Sequence, residues 1–244
     1  MGETTTPRRA QRPNSMLRFL RDLAIIVVAA LLVSFLVKTF LMRSFSIPSG
    51  SMRDTLQIED HVIVNELATV HRGDVVVFHD PGGWLDATRT VEGRTAQQRS
   101  LLADALGVVG LGPGRDDHLV KRVIGLPGDH VRCCNALGQM EVNGVPLTEP
   151  YVRVPAGRPA SGEPFDVMVP AGELWVMGDN RYESADSRAH QGLPSRGFVP
   201  EREVVGRAVV VSWPLQRWSW VDDHHDVFAG TERGGRDEDR RHSP

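Results

Sequence analysis

Two serines stand two residues apart in Ile47-Pro48-Ser49-Gly50-Ser51-Met52-Arg53-Asp54-Thr55-Leu56, framed by a proline and set by a glycine. Proline fixes one backbone torsion and removes a donor, and glycine permits a tight turn. A serine on such a turn can present its hydroxyl while nearby backbone N–H groups point the same way. That geometry suits a nucleophile beside an oxyanion hole. The same residues also serve as an ordinary chain reversal, so the stretch needs company before it means chemistry. A hydroxyl attacks only when a base takes its proton. None of the nine histidines falls in the motifs singled out here, although His118 lies close to one. Lysine is the other candidate. Of 28 basic residues only Lys38 and Lys121 are lysines, so the chain uses arginine almost wherever a cation serves. Unlike arginine, lysine can lose its proton at reachable pH.

Lys121 interrupts the apolar run His118-Leu-Val-Lys-Arg-Val-Ile-Gly125, which closes in the turn Leu126-Pro-Gly-Asp129. One reading is an edge-strand lysine facing water, a device against aggregation. The other is a base desolvated by Leu119, Val120 and Val123. An ordinary lysine with a pKa near 10.4 is less than about 0.1% neutral at pH 7, and burial lowers that pKa. A third stretch, Gly178-Asp-Asn-Arg-Tyr-Glu-Ser-Ala-Asp-Ser-Arg188, mixes acids, arginines and hydroxyls. It reads as a hydrogen-bonded platform or as a solvated loop.

These motifs need elements to position them. The chain has 244 residues, 41% hydrophobic, with 24 glycines and 16 prolines, and long helical patterns are scarce beyond the N-terminus. A turn-rich, mainly β fold follows. Strands are expected at Asp60–Asn65, Val75–Phe78, His118–Gly125, Gly172–Met177 and after Pro200, with an Asn143-Gly144 hairpin turn. Residues 79–117 read as an insertion with one short helix over Thr95–Leu106. Adjacent Cys133 and Cys134 open a strand as a strained vicinal disulfide, two free thiols or a regulatory pair, and no disulfide framework exists. The net charge of −3 argues against nucleic-acid binding by bulk charge.

At the N-terminus, residues 1–16 read as disordered. The fifteen residues Leu23–Val37 then contain one polar member, Ser34. Continued to Met42, the run is long enough to cross a bilayer as a helix. Arg8, Arg9, Arg12, Arg18 and Arg21 precede it, which places the N-terminus in the cytoplasm and the rest outside. No small-x-small cleavage site follows the run, so an uncleaved anchor is expected. The expected organisation is a cytoplasmic segment 1–22, a transmembrane helix 23–42, an extracytoplasmic catalytic domain 43–220 and a disordered tail 221–244. Trp213, Trp218 and Trp220 suit either the membrane interface or ordinary packing.

Pro48-Ser-Gly-Ser-Met52, Lys121-Arg-Val-Ile-Gly-Leu-Pro-Gly-Asp129 and Gly178–Arg188, in that order behind an N-terminal anchor, closely resemble bacterial type I signal peptidases. Arg72-Gly-Asp-Val-Val-Val-Phe78 looks like a further strand of that family. The resemblance covers about residues 20–212 except the insertion. It implies an antiparallel β-sheet fold with a small barrel-like core, and a membrane-anchored serine endopeptidase. Such an enzyme cuts signal peptides from exported preproteins after small residues at −1 and −3, at the lipid surface and without a cofactor or metal. It further implies Ser51 as nucleophile, Lys121 as general base, and Ser49 with the Ser51 N–H as oxyanion hole. Ser184 would orient the Lys121 amine, and Asp186 and Arg188 would form a supporting ion pair. Ile47, Pro48, Met52, Leu119 and Val120 would line pockets for small side chains. Asp54 departs from the family, which usually has proline there. Two alternatives remain at this point: a self-cleaving Ser–Lys peptidase of the SOS-repressor kind, and a non-catalytic membrane-tethered β module that binds peptides.

Overall fold

A computed structural model describes residues 15–40, 42–85, 118–152 and 154–232. The chain divides into two compact units, Met1–Met42 and Arg43–Pro244. Within the first, helix α1 runs from Ser15 to Phe40, so it begins before the apolar stretch and absorbs part of the expected cytoplasmic segment. Ile25, Ile26, Val28 and Leu31 on α1 are each more than half exposed. Among the described residues, no helix is long and apolar enough to cross a membrane.

The second unit is mainly β. Strands β1 (Met42–Ser46), β2 (His61–Asn65), β3 (Val75–His79) and β4 (His118–Gly125) come first. They are followed by β5 (His130–Cys133), β6 (Met140–Val142), β7 (Val145–Pro146) and β8 (Phe165–Met168). The last are β9 (Glu173–Met177), β10 (Val199–Pro200), β11 (Val204–Trp213) and β12 (Ser219–Trp220). One sheet has the order β1-β2-β11-β3-β4-β9-β10, with β12 also on β11, and a second has the order β7-β6-β5-β8. Ladders from β2 through β10 in the first sheet, and those of the second, are antiparallel. The Val-rich runs form the interior. Val62 and Val64 of β2, all of Val75–Phe78, and Val123 and Ile124 of β4 are buried. β-branched residues suit a pleated, buried surface, which is why these short runs hold as strands.

Several expectations need correction. β4 lies between β3 and β9, so Lys121 is not on an edge and does not face water. Cys133 ends β5 rather than opening a strand, and the two cysteines are joined to each other as a vicinal disulfide. Trp213, Trp218 and Trp220 are more than half exposed, against the packing reading. Residues 221–232 are not a loose tail. They carry a 3-10 turn at His225–Phe228, bury Phe228 and Thr231, and accept a bond from Asn143 Nδ2 at the Thr231 carbonyl, 2.7 Å. Their density of charge hides this because the contacts that anchor them to the sheets, at Asp222, Phe228 and Thr231, are long-range. The helix expected at 95–106 and most of the insertion lie outside the described residues.

Candidate active site

Ser51 occupies a 3-10 turn, Gly50–Met52, between β1 and β2. Backbone bonds from Ile47 N to Asp60 O (2.9 Å) and from Glu59 N to Ile47 O (3.0 Å) close the stretch into a loop. Asp60, buried, is clamped by Arg217 at 2.7 and 2.9 Å. The 178–188 loop pins the same turn from the other side. Asn180 N donates to Ser51 O at 3.0 Å, and Asn180 Nδ2 donates to Gly50 O at 3.2 Å. At Asp54 the backbone is left-handed, φ 87°. Proline, locked near −65°, cannot adopt that torsion. Asp54 thus suits this turn where a proline would not.

Lys121 sits mid-strand on β4 opposite Val76 of β3 and is 3% exposed. Its Nζ donates to Ser51 Oγ at 2.8 Å and to the Val120 carbonyl at 3.0 Å. Burial pushes the ammonium down from 10.5 to about 8, against the opposing pull of Asp186 and Asp179. A buried charge is disfavoured, so part of the population loses its proton near neutrality. Ser49 Oγ lies 3.3 Å from Ser51 Oγ, leaving it on the exposed side of the turn.

Asp186 and Arg188 form a buried bidentate pair, 2.7 and 2.8 Å, with Gly178 N donating to Asp186 Oδ2 at 2.9 Å. Burial works to raise the Asp186 pKa, but these donors prevail and hold it below the ordinary carboxylate value. Ser184 is brought to the site yet does not bond Lys121. Its Oγ is buried without a hydrogen-bond partner, close enough to influence the Asp186 carboxyl but short of bonding geometry. Of the residues expected to line pockets, Ile47, Met52 and Val120 are buried together in one apolar cluster. Leu119 packs against a different cluster around Phe78, and Pro48 is exposed. As the site stands, these side chains form its floor more than an open cleft.

Sequence reasoning missed the layer beneath. Arg122, fully buried, forms a bidentate pair with Asp179 at 2.9 and 2.8 Å, donates to the Gly73 and Asp222 carbonyls, and lies 4.2 Å over the Tyr151 ring. Burial alone would lower its pKa, but Asp179 outweighs burial and raises it. Asp179 also accepts from Thr55 Oγ1, tying the 178–188 loop to the segment after Ser51. Arg181 pairs with Glu149 in the same way. Two adjacent cations in an apolar strand were the available clue, because a buried arginine demands an anion.

The chain matches the family model "Signal peptidase, peptidase S26" over residues 20–213. It is 37% identical to Signal peptidase I of Mycobacterium tuberculosis (strain CDC 1551 / Oshkosh) over 240 residues, 90% of this chain and 79% of that protein. Against Signal peptidase I U of Bacillus subtilis (strain 168) the identity is 31% over 203 residues, 79% and 86% of the two chains. A crystal structure of a signal peptidase I from Enterococcus faecalis V583 aligns with a TM-score of 0.36 and 25% identity, over 57% of this chain and 97% of that one. With a family model spanning most of its length and relatives above 30% identity across theirs, the chain belongs to the signal peptidase family, peptidase S26.

Proposed function

We propose that the chain removes N-terminal signal peptides from exported preproteins with a Ser51–Lys121 dyad, cutting after small residues at −1 and −3. Signal-peptide hydrolysis follows from the family; the residue roles are our reading. The observation that carries it is the 2.8 Å contact between Lys121 Nζ and Ser51 Oγ at a buried amine. Neutral Lys121 takes the Ser51 proton as Oγ attacks the scissile carbonyl. The Ser51 N–H and the Ser49 hydroxyl stabilise the oxyanion. As the tetrahedral intermediate collapses, the Lys121 ammonium returns the proton to the departing amine. Water activated by the same lysine then releases the acyl group from Ser51. The Asp186–Arg188 pair braces the 178–188 loop, whose Asn180 pins this turn, and the loop brings Ser184, with its Oγ unpartnered, as the hydroxyl that orients the Lys121 amine. Pro48 and Leu119, with the floor of Ile47, Met52 and Val120, meet the small side chains.

The anchor belongs to the same reading. Residues 23–42 cross the membrane with the N-terminus cytoplasmic, supported by the arginines before the span and by the exposed apolar side chains Ile25, Ile26, Val28 and Leu31 of α1. Exposed Trp213, Trp218 and Trp220 are where we place lipid contact for the catalytic domain. Mass spectrometry of a preprotein incubated with the purified full chain tests the proposal. We expect one cut after a small residue, lost in Ser51→Ala and in Lys121→Arg while both variants stay folded. A preprotein left intact by the parent chain while the chain cuts itself favours the self-cleaving alternative. Binding without any cut favours the peptide-binding module.

A further inference from the structure

The turn between β2 and β3 and the 221–232 segment meet at a group of side chains that the hydrolytic site does not use. His71 Nδ1 lies 3.7 Å from Asp74 Oδ2, and His225 Nε2 lies 3.1 Å from Asp74 Oδ1. One ligand atom from each of the three residues falls within 4.8 Å of the other two. Ligands held about 2.0–2.1 Å from a tetrahedral ion stand roughly 3.3 Å apart; the two imidazoles reach different oxygens of the one carboxylate, and the 4.8 Å bound on the single-atom set leaves the exposed histidines about 1.5 Å to close. The imidazole rings are 5.6 Å apart between centroids and edge-on.

The surroundings also suit a metal. Asp74 is fully buried and fixed, since His71 N donates to its Oδ2 at 2.7 Å and its carbonyl accepts from Val123 N of β4 at 2.9 Å. His225 turns its other nitrogen, Nδ1, toward Asp223 Oδ2 at 3.5 Å. A ligating histidine commonly gives its second N–H to a carboxylate, which fixes the tautomer that frees Nε2. Arg207 faces both acids, at 3.2 Å from Asp74 and 3.8 Å from Asp223. One cation against two carboxylates leaves the cluster negative when both imidazoles are neutral. Both histidines are accessible from solvent, which gives an ion an entry path and leaves its fourth position to water.

We propose that His71, Asp74 and His225 form a structural binding site for a divalent ion of the zinc type. Two imidazoles and one carboxylate favour such an ion over magnesium, which prefers oxygen ligands. The ion joins the 71–74 turn to the C-terminal segment. At this junction the backbones already touch closely: a Cβ on Gly73 (φ +93°) would lie 2.0 Å from the Asp223 carbonyl oxygen. The site is distinct from the dyad and does not depend on the roles assigned to Ser51 and Lys121. The competing account is a protonated His225 bridging Asp74 and Asp223 as a simple ion pair.

Calorimetric titration of the tag-free full chain in detergent with zinc chloride at neutral pH separates the two. We expect one equivalent bound at micromolar or tighter affinity, undisturbed by excess magnesium, and a higher melting temperature with zinc. His71→Ala and His225→Ala should each weaken binding at least tenfold and abolish the thermal shift, with Asp223→Asn weakening it about tenfold. His130→Ala, at an exposed pair elsewhere, should change neither. His71→Gln and His225→Gln, closer in size, repeat the test should an alanine variant melt early without metal. Failure of zinc to bind, or unchanged binding in the His71/His225 double variant, overturns the proposal.

Discussion

Lys121 is held in a strand interior by a hydroxyl and a carbonyl, and neither neutralises it. With its pKa pushed to about 8, roughly a tenth of the population is neutral at pH 7 and half at pH 8. Cleavage should therefore rise with pH through about 8 and level off above, read as kcat/KM on a peptide substrate. A flat profile from pH 6 to 9 would exclude Lys121 as the base. The same shift carries a stability cost. The folded pKa lies below the unfolded one, so between about 8 and 10.5 the unfolded chain holds more protons and stability climbs with pH. Below pH 8 the full penalty applies, about 3 kcal/mol at most for this shift. Lys121→Met removes the buried charge and keeps the apolar stem. It should abolish cleavage while raising the melting temperature at pH 7, and a fall in melting temperature would count against burial as the cause.

At the scale of the element, β4 and the 178–188 loop define the site together. The loop approaches the Ser51 turn so closely that Gly178 has no room for a side chain. A Cβ there would lie 2.2 Å from Ser184 Oγ and 2.5 Å from the Ser51 carbonyl oxygen. Gly178→Ala should push the loop off the turn and break the Asn180–Ser51 backbone bond. We expect at least a tenfold loss in cleavage rate with a modest drop in melting temperature; unchanged activity would mean the contact can relax. Much of this level was legible in the sequence. The strands β2, β3 and β4 follow their β-branched runs and β9 its apolar run Leu174–Met177, and Asn143-Gly144 makes the expected hairpin turn, with φ of 52° and 80°. What was not legible depended on pairing. Nothing local distinguishes an edge lysine from Lys121, because its burial comes from β3 on one side and β9, more than fifty residues on, at the other. Phe165-Asp-Val-Met168 gave no strand signal, and it is held as β8 by its ladder to β5.

Across the whole β unit, the polar layer under the Ser51–Lys121 contact reaches the C-terminal segment. Arg122 donates at once to Asp179 of the 178–188 loop, to Gly73 of the turn before β3 and to the carbonyl of Asp222. The segment beyond Trp220 thus satisfies part of the guanidinium that fixes the loop. It also fills an apolar socket with Phe228, which joins the cluster around Trp175 and Met177. A charged sequence without periodicity cannot announce such a role, since one buried aromatic and two carbonyl contacts leave no repeating pattern. Deleting residues 221–244 should leave Arg122 Nη1 and Asn143 Nδ2 each short of an acceptor and open a cavity at Phe228. Phe228→Ala alone should cost about 3–5 kcal/mol, and the deletion should cost more. Because the lost acceptor belongs to Arg122, the deletion should also slow cleavage more than Phe228→Ala does at matched distance below the melting temperature. Equal rates for the two variants would show that the segment supports the fold without reaching the site through Arg122.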